Sequence, residues 1–245
     1  MTANTNSFGA AKRVLMVVAN PSVSTTLGWP VGFWASELTH AWHEFTEVGY
    51  DTVISSPKGG KVELDSLSDP RDASGYSAHD VLSMGFLSTP RLAALLDATP
   101  AIGRFKAADF DALYVAGGQS PMFTFRDDAA LRSLIRDFHE GGKVVAVVCH
   151  GTAALLDVKL SDGSLLIKGK HITGFANSEE DFADQVVGKK VMPFRIEDEA
   201  TKLGANFVAA PAFRPHAVRD GNLITGQQQY SGRAAALLVI EALGR

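Results

Sequence analysis

Cysteine is almost missing from this sequence: Cys149 is the only one in 245 residues. That excludes an internal disulfide framework. No CxxC pair or Cys/His finger spacing points to a structural zinc site, and so little cysteine fits a reducing compartment. No apolar run reaches the length of a membrane span, and no basic run or basic–aromatic interleaving marks a nucleic-acid face on a chain of formal net charge −4. GxGxxG and P-loop patterns are absent, so a nucleotide cofactor is not indicated. Repeats, low-complexity tracts and linkers are absent too. What remains is 46% hydrophobic and 20% charged, ordinary for a globular chain able to bury a sizeable core. The expected location is the cytoplasm.

The chain alternates strand and helix. An apolar run at 13–19 reads as a buried strand stopped by Asn20-Pro21. Phe33, Trp34, Leu38, Ala41, Trp42 and Phe45 recur at helical spacing, predicting a helix over 31–48 closed by Gly49. A second strand follows at 50–56. This βαβ opening implies a parallel sheet with a right-handed crossover. Residues 61–109 are irregular, with one short helix near 91–97, and a long insertion of this kind can cap a site. The alternation resumes with a strand at 111–116, Gly117-Gly118, a helix at 127–140 and the strand that ends at Cys149. Beyond it, 165–173 reads as two short strands or one bent strand. Helices are expected at 179–186 and 194–203, the latter capped by Gly204. A strand at 206–210, a hairpin over 217–225 turning at Asp220-Gly221 and a helix at 230–243 complete the chain. The expected fold is α/β, a flavodoxin-like three-layer sandwich with a mostly parallel central sheet. It forms a single domain over 13–245, with a cap insertion at 61–109 and a disordered tail at 1–12.

Cys149 sits where a buried strand turns sharply at Cys149-His150-Gly151 into a helix. A lone cysteine is commonly just a small buried hydrophobe, but a strand–cysteine–helix elbow lifts the side chain above the sheet and aims helix N–H groups at it. A thiol so placed is biased toward thiolate, the attacking form, and Gly151 leaves room for a substrate. The backbone N–H of His150 is a candidate oxyanion donor, and its imidazole could fold back toward the sulfur; the alternative is a surface histidine at a helix start. Gly117-Gly118 ends the neighbouring strand, where backbone N–H groups can approach a developing oxyanion; the alternative is a turn that needs positive φ. Glu37 lies among apolar helix residues, and if buried its raised pKa would let it hold or shuttle a proton beside the thiol. Glu179 and Glu180 open a short helix, where acidic residues are common dipole partners. His40, His43 and Glu44 share one helix face and read as a surface cluster rather than a metal site.

Several segments together resemble the ThiJ/PfpI superfamily, whose fold is like that of class I glutamine amidotransferases. They are Gly32-Phe33-Trp34-Ala35-Ser36-Glu37-Leu38, Ser55-Ser56-Pro57-Lys58-Gly59-Gly60 with Leu64-Asp65, Ala116-Gly117-Gly118, Val148-Cys149-His150-Gly151, Ile172-Thr173-Gly174-Phe175, Pro193-Phe194 and Asp220-Gly221-Asn222-Leu223-Ile224-Thr225-Gly226-Gln227. The resemblance runs from about residue 13 to 243 and is strongest to the branch that holds glutathione-independent glyoxalase III and stress chaperone-like proteins. It implies that Cys149 is the nucleophile, His150 its triad histidine, Glu180 rather than Glu179 the carboxylate behind the histidine, Glu37 the buried glutamate against the sulfur and Gly118 a backbone oxyanion donor. No metal or organic cofactor is implied, and a homodimer is.

This chain departs from the branch pattern at Gln119-Ser120 and at Gln228-Gln229. The activity implied is conversion of a 2-oxoaldehyde such as methylglyoxal, with water, to a 2-hydroxy acid (D-lactate). The alternatives are another thiol-dependent hydratase or hydrolase, acting on isonitriles or glycated groups, and a redox sensor or holdase. The expected partners are a small carbonyl substrate and water, with no nucleic acid and no membrane.

Overall fold

The computed structural model describes residues 11–244, so most of the expected tail at 1–12 lies outside the described residues. The chain opens with β1 (Arg13–Val17), the two-residue strands β2 (Ser22–Val23) and β3 (Pro30–Val31), α1 (Ala35–Glu47) and β4 (Asp51–Ser55). Next come α2 (Val81–Ser88), α3 (Pro90–Asp97), β5 (Ala112–Val115), α4 (Pro121–Thr124), α5 (Ala129–Glu140) and β6 (Val144–Val148). A 3₁₀ helix (Cys149–Leu155) follows β6 directly. The chain ends with β7 (His171–Ile172), α6 (Asn177–Val187), α7 (Ile196–Lys202), β8 (Asn206–Phe207), β9 (Ala217–Asp220), β10 (Leu223–Gly226) and α8 (Gly232–Leu243).

Six strands form one sheet in the order β4-β1-β5-β6-β10-β9. All neighbours are parallel except the β9–β10 hairpin. Strands buried on both faces must be apolar throughout, and Val14 to Val17, Ala112 to Val115 and Val145 to Val148 are all essentially inaccessible. Side chains alternate across the sheet. Val14, Met16, Tyr114 and Ala146 meet Leu38, Ala41 and Phe45 of α1 and Ala235, Ala236 and Val239 of α8 on one face. Leu15, Val17, Leu113, Val145 and Val147 meet Leu131, Ile135 and Phe138 of α5 and Leu155 of the 3₁₀ helix on the other. The result is the expected three-layer α/β architecture. The strand order reverses at β1, between β4 and β5, and in such sheets ligands sit beyond the carboxyl ends at this switch. Glu37, Gly117-Gly118 and Cys149 all follow strands β1, β5 and β6 at that end.

The sequence reading and the structure differ locally. Helix α1 starts at Ala35, not near residue 31, because Pro30 and Val31 pair with Val23 and Ser22 as a small ribbon. The element after Cys149 is a 3₁₀ helix, not an α-helix. Within 61–109 a second helix, α2, was not expected; it is N-capped by Asp80, whose carboxylate accepts the Ser83 N–H. The expected strands at 165–173 and 206–210 shrink to the two-residue pair β7–β8.

Candidate active site

The site grows from the end of β6. Cys149 leaves the strand with φ of 59°, a left-handed conformation that is strained for a residue with a side chain. The turn stands the thiol over the sheet while leaving it only 3% exposed. Three glycines make room. A Cβ on Gly151 would lie 3.0 Å from the Ala116 carbonyl oxygen, and one on Gly117 would lie 2.7 Å from the Val148 carbonyl oxygen, 2.8 Å from Glu37 Oε2 and 2.9 Å from Cys149 Cβ. Gly118 has φ of 101°, and a Cβ there would lie 2.5 Å from the Trp34 nitrogen.

Glu37, on the first turn of α1, is fully buried. Its Oε2 accepts the Gly117 N–H at 2.6 Å, and its carboxyl lies against the Cys149 thiol. Oε1 makes no conventional hydrogen bond to nitrogen or oxygen. Burial pushes the Glu37 carboxyl up to about 8, partly opposed by hydrogen bonds from Cys149 and Gly117. The Cys149 thiol is also pushed well up, by burial first and then by the charge and hydrogen bond of Glu37; the backbone N–H groups of His150 and Gly118 pull it back. This corrects the expectation that the helix start alone would favour the thiolate. The sulfur is desolvated and faces a carboxyl, so the thiolate is favoured only when that carboxyl holds the proton.

His150 is 4% exposed. Its Nδ1 lies 3.8 Å from Cys149 Sγ, and its Nε2 lies 3.0 Å from Glu180 Oε1. The ring rests on Phe175, with centroids 4.2 Å apart. Glu179 points elsewhere. Its Oε2 accepts the Ala176 N–H, and its Oε1 accepts both the Phe213 N–H and Gln227 Nε2. The structure therefore brings Cys149, His150, Glu180, Glu37, Gly117 and Gly118 together and leaves Glu179 behind them. His40 and Glu44 stay out of this centre, the first bonded to Asp80 at 2.8 Å and the second to Arg233 at 2.7 Å. Among the described residues no group of three or more His, Cys, Asp or Glu side chains is placed to hold a metal ion.

Asp65 was missed by the sequence reading, although Leu64-Asp65 was visible in the pattern. It is 2% exposed. Its two oxygens accept the Gly32 N–H at 2.8 Å and the Gln119 N–H at 2.6 Å. Burial raises it to about 6 against those two bonds and the nearby His150. It ties the segment before α1 to the segment after β5. A cavity of about 610 Å³ opens above the sulfur and is lined by Cys149, His150, Glu180, Gly118, Gln119 and, from 61–109, Glu63 to Leu67 and Tyr76. Of the two departures, Gln119 reaches this cavity and accepts from Trp29 Nε1 at 3.2 Å. Gln228 is buried behind it, and its neighbour Gln229 is the one that lines the space.

The DJ-1/PfpI family profile matches residues 30–242. A glutathione-independent glyoxalase of Saccharomyces cerevisiae is 28% identical over 96% of this chain and 99% of its own length. Among solved structures, the rapid encystment protein of 24 kDa from Francisella tularensis superposes with a TM-score of 0.85 at 28% identity, covering 96% of this chain and all of that one. Glyoxalase III of Candida albicans shares the fold, with a TM-score of 0.80 at 24% identity over 94% of this chain and 97% of its own.

Proposed function

Taking as premise that the chain belongs to the DJ-1/PfpI family, we propose that it is a glyoxalase III-like enzyme that needs neither glutathione nor a cofactor. It would use Cys149 to turn a 2-oxoaldehyde such as methylglyoxal, with water, into a 2-hydroxy acid such as D-lactate. The observation that carries this reading is the buried cysteine with a raised carboxyl on one side and a His150–Glu180 pair at 3.0 Å on the other.

The reaction follows from those atoms. The proton of the thiol passes to His150, or to Glu37 once its carboxyl is ionised, a form that gains population as pH approaches about 8, and Sγ attacks the aldehyde carbon, forming a C–S bond and a hemithioacetal. The N–H groups of Gly118 and His150, which face the sulfur, lie where an alkoxide beside it would need donors; removing one such donor typically costs about 3 kcal/mol. His150 Nδ1, freed as acceptor when Nε2–H donates to Glu180, or the Glu37 carboxylate takes the hydrogen from the former aldehyde carbon as a proton. An enediol forms and is reprotonated on the neighbouring carbon, leaving a thioester. Water then adds to the thioester carbon, the C–S bond breaks, and the thiol regains its proton. One carbon is oxidised and its neighbour reduced, so no external redox partner enters.

Residues 61–109 serve as a wall and cap of the site, a role supported by Glu63, Leu64, Ser66, Leu67 and Tyr76 on the cavity surface. No helix among the described residues is long and apolar enough to cross a membrane; the protein is proposed to act in the cytoplasm as a homodimer. The test is incubation of pure protein with methylglyoxal in the absence of glutathione. Formation of D-lactate that is lost in Cys149→Ala supports the reading. An isonitrile hydrated while methylglyoxal is untouched would replace it.

A further inference from the structure

The cavity is several times larger than the smallest substrate requires. It measures about 610 Å³, whereas a three-carbon oxoaldehyde fills roughly 100 Å³ at about 30 Å³ per water-sized group. Trp29, Phe182, Val186, Met192 and Phe213 supply apolar wall to this cavity, beside the polar Glu63, Asp65, Gln119 and Gln229, while the carbonyl chemistry uses Gly118, His150 and Glu180.

Phe213 is held in place at a cost. Among the described residues only Cys149 and Phe213 combine a side chain with a positive φ, at 59° and 58°. A bulky residue is strained in this left-handed conformation and stays there only where its surroundings hold it. The buried Glu179 Oε1 holds it, accepting the Phe213 N–H at 2.9 Å. The ring so presented meets Phe182 edge-on, with centroids 5.2 Å apart. Phe182 is 52% exposed and Val186 69%, so their apolar surface is open to a ligand. The adjacent glutamates thus hold two different groups: Glu180 holds His150 and Glu179 holds Phe213.

We propose that the Phe182–Phe213 pair binds the side group of the substrate, and that the preferred substrates are 2-oxoaldehydes carrying an aryl or long aliphatic group. This rests on the reaction proposed above. The bonds made and broken are the same, and the side group stays intact.

The experiment compares phenylglyoxal with methylglyoxal, and separately the binding of their products, mandelate and lactate, by calorimetry. The expected kcat/KM favours phenylglyoxal by about tenfold or more, since even one methylene in an apolar pocket is worth about 10-fold or above. Phe213→Ala is expected to shrink that ratio at least about fivefold, mostly through KM, and to weaken mandelate more than lactate. Phe182→Ala, at an exposed position, gives the same readout should Phe213→Ala fail to fold. Equal kcat/KM for both aldehydes, unmoved by either variant, overturns the subsite and leaves the reaction standing. Turnover of neither aldehyde overturns the reaction. In that case, mandelate binding that exceeds lactate and is lost in the variants supports the subsite, and mandelate binding no tighter than lactate overturns it.

Discussion

Replacing Glu37 by glutamine is expected to stabilise the folded protein while removing most of its activity. The glutamine oxygen can accept the Gly117 N–H that Oε2 now holds at 2.6 Å, and its amide can face the sulfur, so the packing is kept. What disappears is a titrating group whose folded value, about 8, lies above its ordinary 4.5 because it is buried. A carboxyl raised in this way keeps a proton in the folded state that the unfolded chain has released. Stability therefore falls as pH rises from about 4.5 to about 8, by about 1.4 kcal/mol per pH unit, and is level above. At pH 7 the penalty amounts to about 3 kcal/mol, which for a chain of this size corresponds to about 6–12 °C in Tm. The assay is urea or thermal unfolding of both proteins at pH 5, 6, 7 and 8. The advantage of Glu37→Gln is expected to be small at pH 5 and to widen steadily to pH 8, while kcat drops by about 10²–10⁴ because the proton carrier is gone. A stability difference that does not change with pH would refute the reasoning, since Glu37 would then not be the protonated, buried acid described here.

Four further outcomes follow from the geometry. Glu180→Gln is expected to lower kcat by at least about 10² with little loss of stability, because it removes the charge behind His150 Nε2; Glu179→Gln is instead expected to cost about 1–3 kcal/mol in urea unfolding, because that carboxylate is the acceptor for Ala176, Phe213 and Gln227. Gly118→Ala is expected to destabilise by at least about 2 kcal/mol in the same assay, through a left-handed backbone and a Cβ driven against the Trp34 nitrogen. Asp65→Ala is expected to cost about 2–5 kcal/mol, since it strands the Gly32 and Gln119 N–H groups; unchanged stability would remove Asp65 as the tie between those two segments.

The sheet was legible because burial on both faces forces continuous apolar runs, as at Val144–Val148, and α1 and α5 because one face of each is repeatedly apolar. Helix α2 was not, since Val81–Ser88 carries glycine, serine and a β-branched residue with no clear polar face. It is held by the Asp80 cap, a local signal that says little without an apolar period behind it, and by a Thr39–Ser83 bond to α1, which has no local signature. The two-residue strands β2, β3, β7 and β8 were too short to leave a period. In the site, the Cys149 elbow stands out from residue pattern alone, and Glu37 stands out as a carboxylate among apolar helix positions; that Glu37 lies against the sulfur and that Glu180 backs His150 came only through the resemblance, because nothing local says that a glutamate on α1 or on α6 reaches the end of β6. Asp65 and Phe213 went unread for the same physical reason. One works through backbone groups far away in sequence, and the other through a φ value that only the folded loop imposes.

The central claim is that Cys149 Sγ bonds to the aldehyde carbon. Its most direct test is peptide-level mass spectrometry of protein quenched with acid during turnover of methylglyoxal. The expected result is a substrate-derived adduct on the Cys149 peptide that decays as substrate is exhausted and is absent from Cys149→Ser, which makes no lactate. Lactate formed at the wild-type rate by Cys149→Ser, with no adduct on the wild-type peptide, would contradict it.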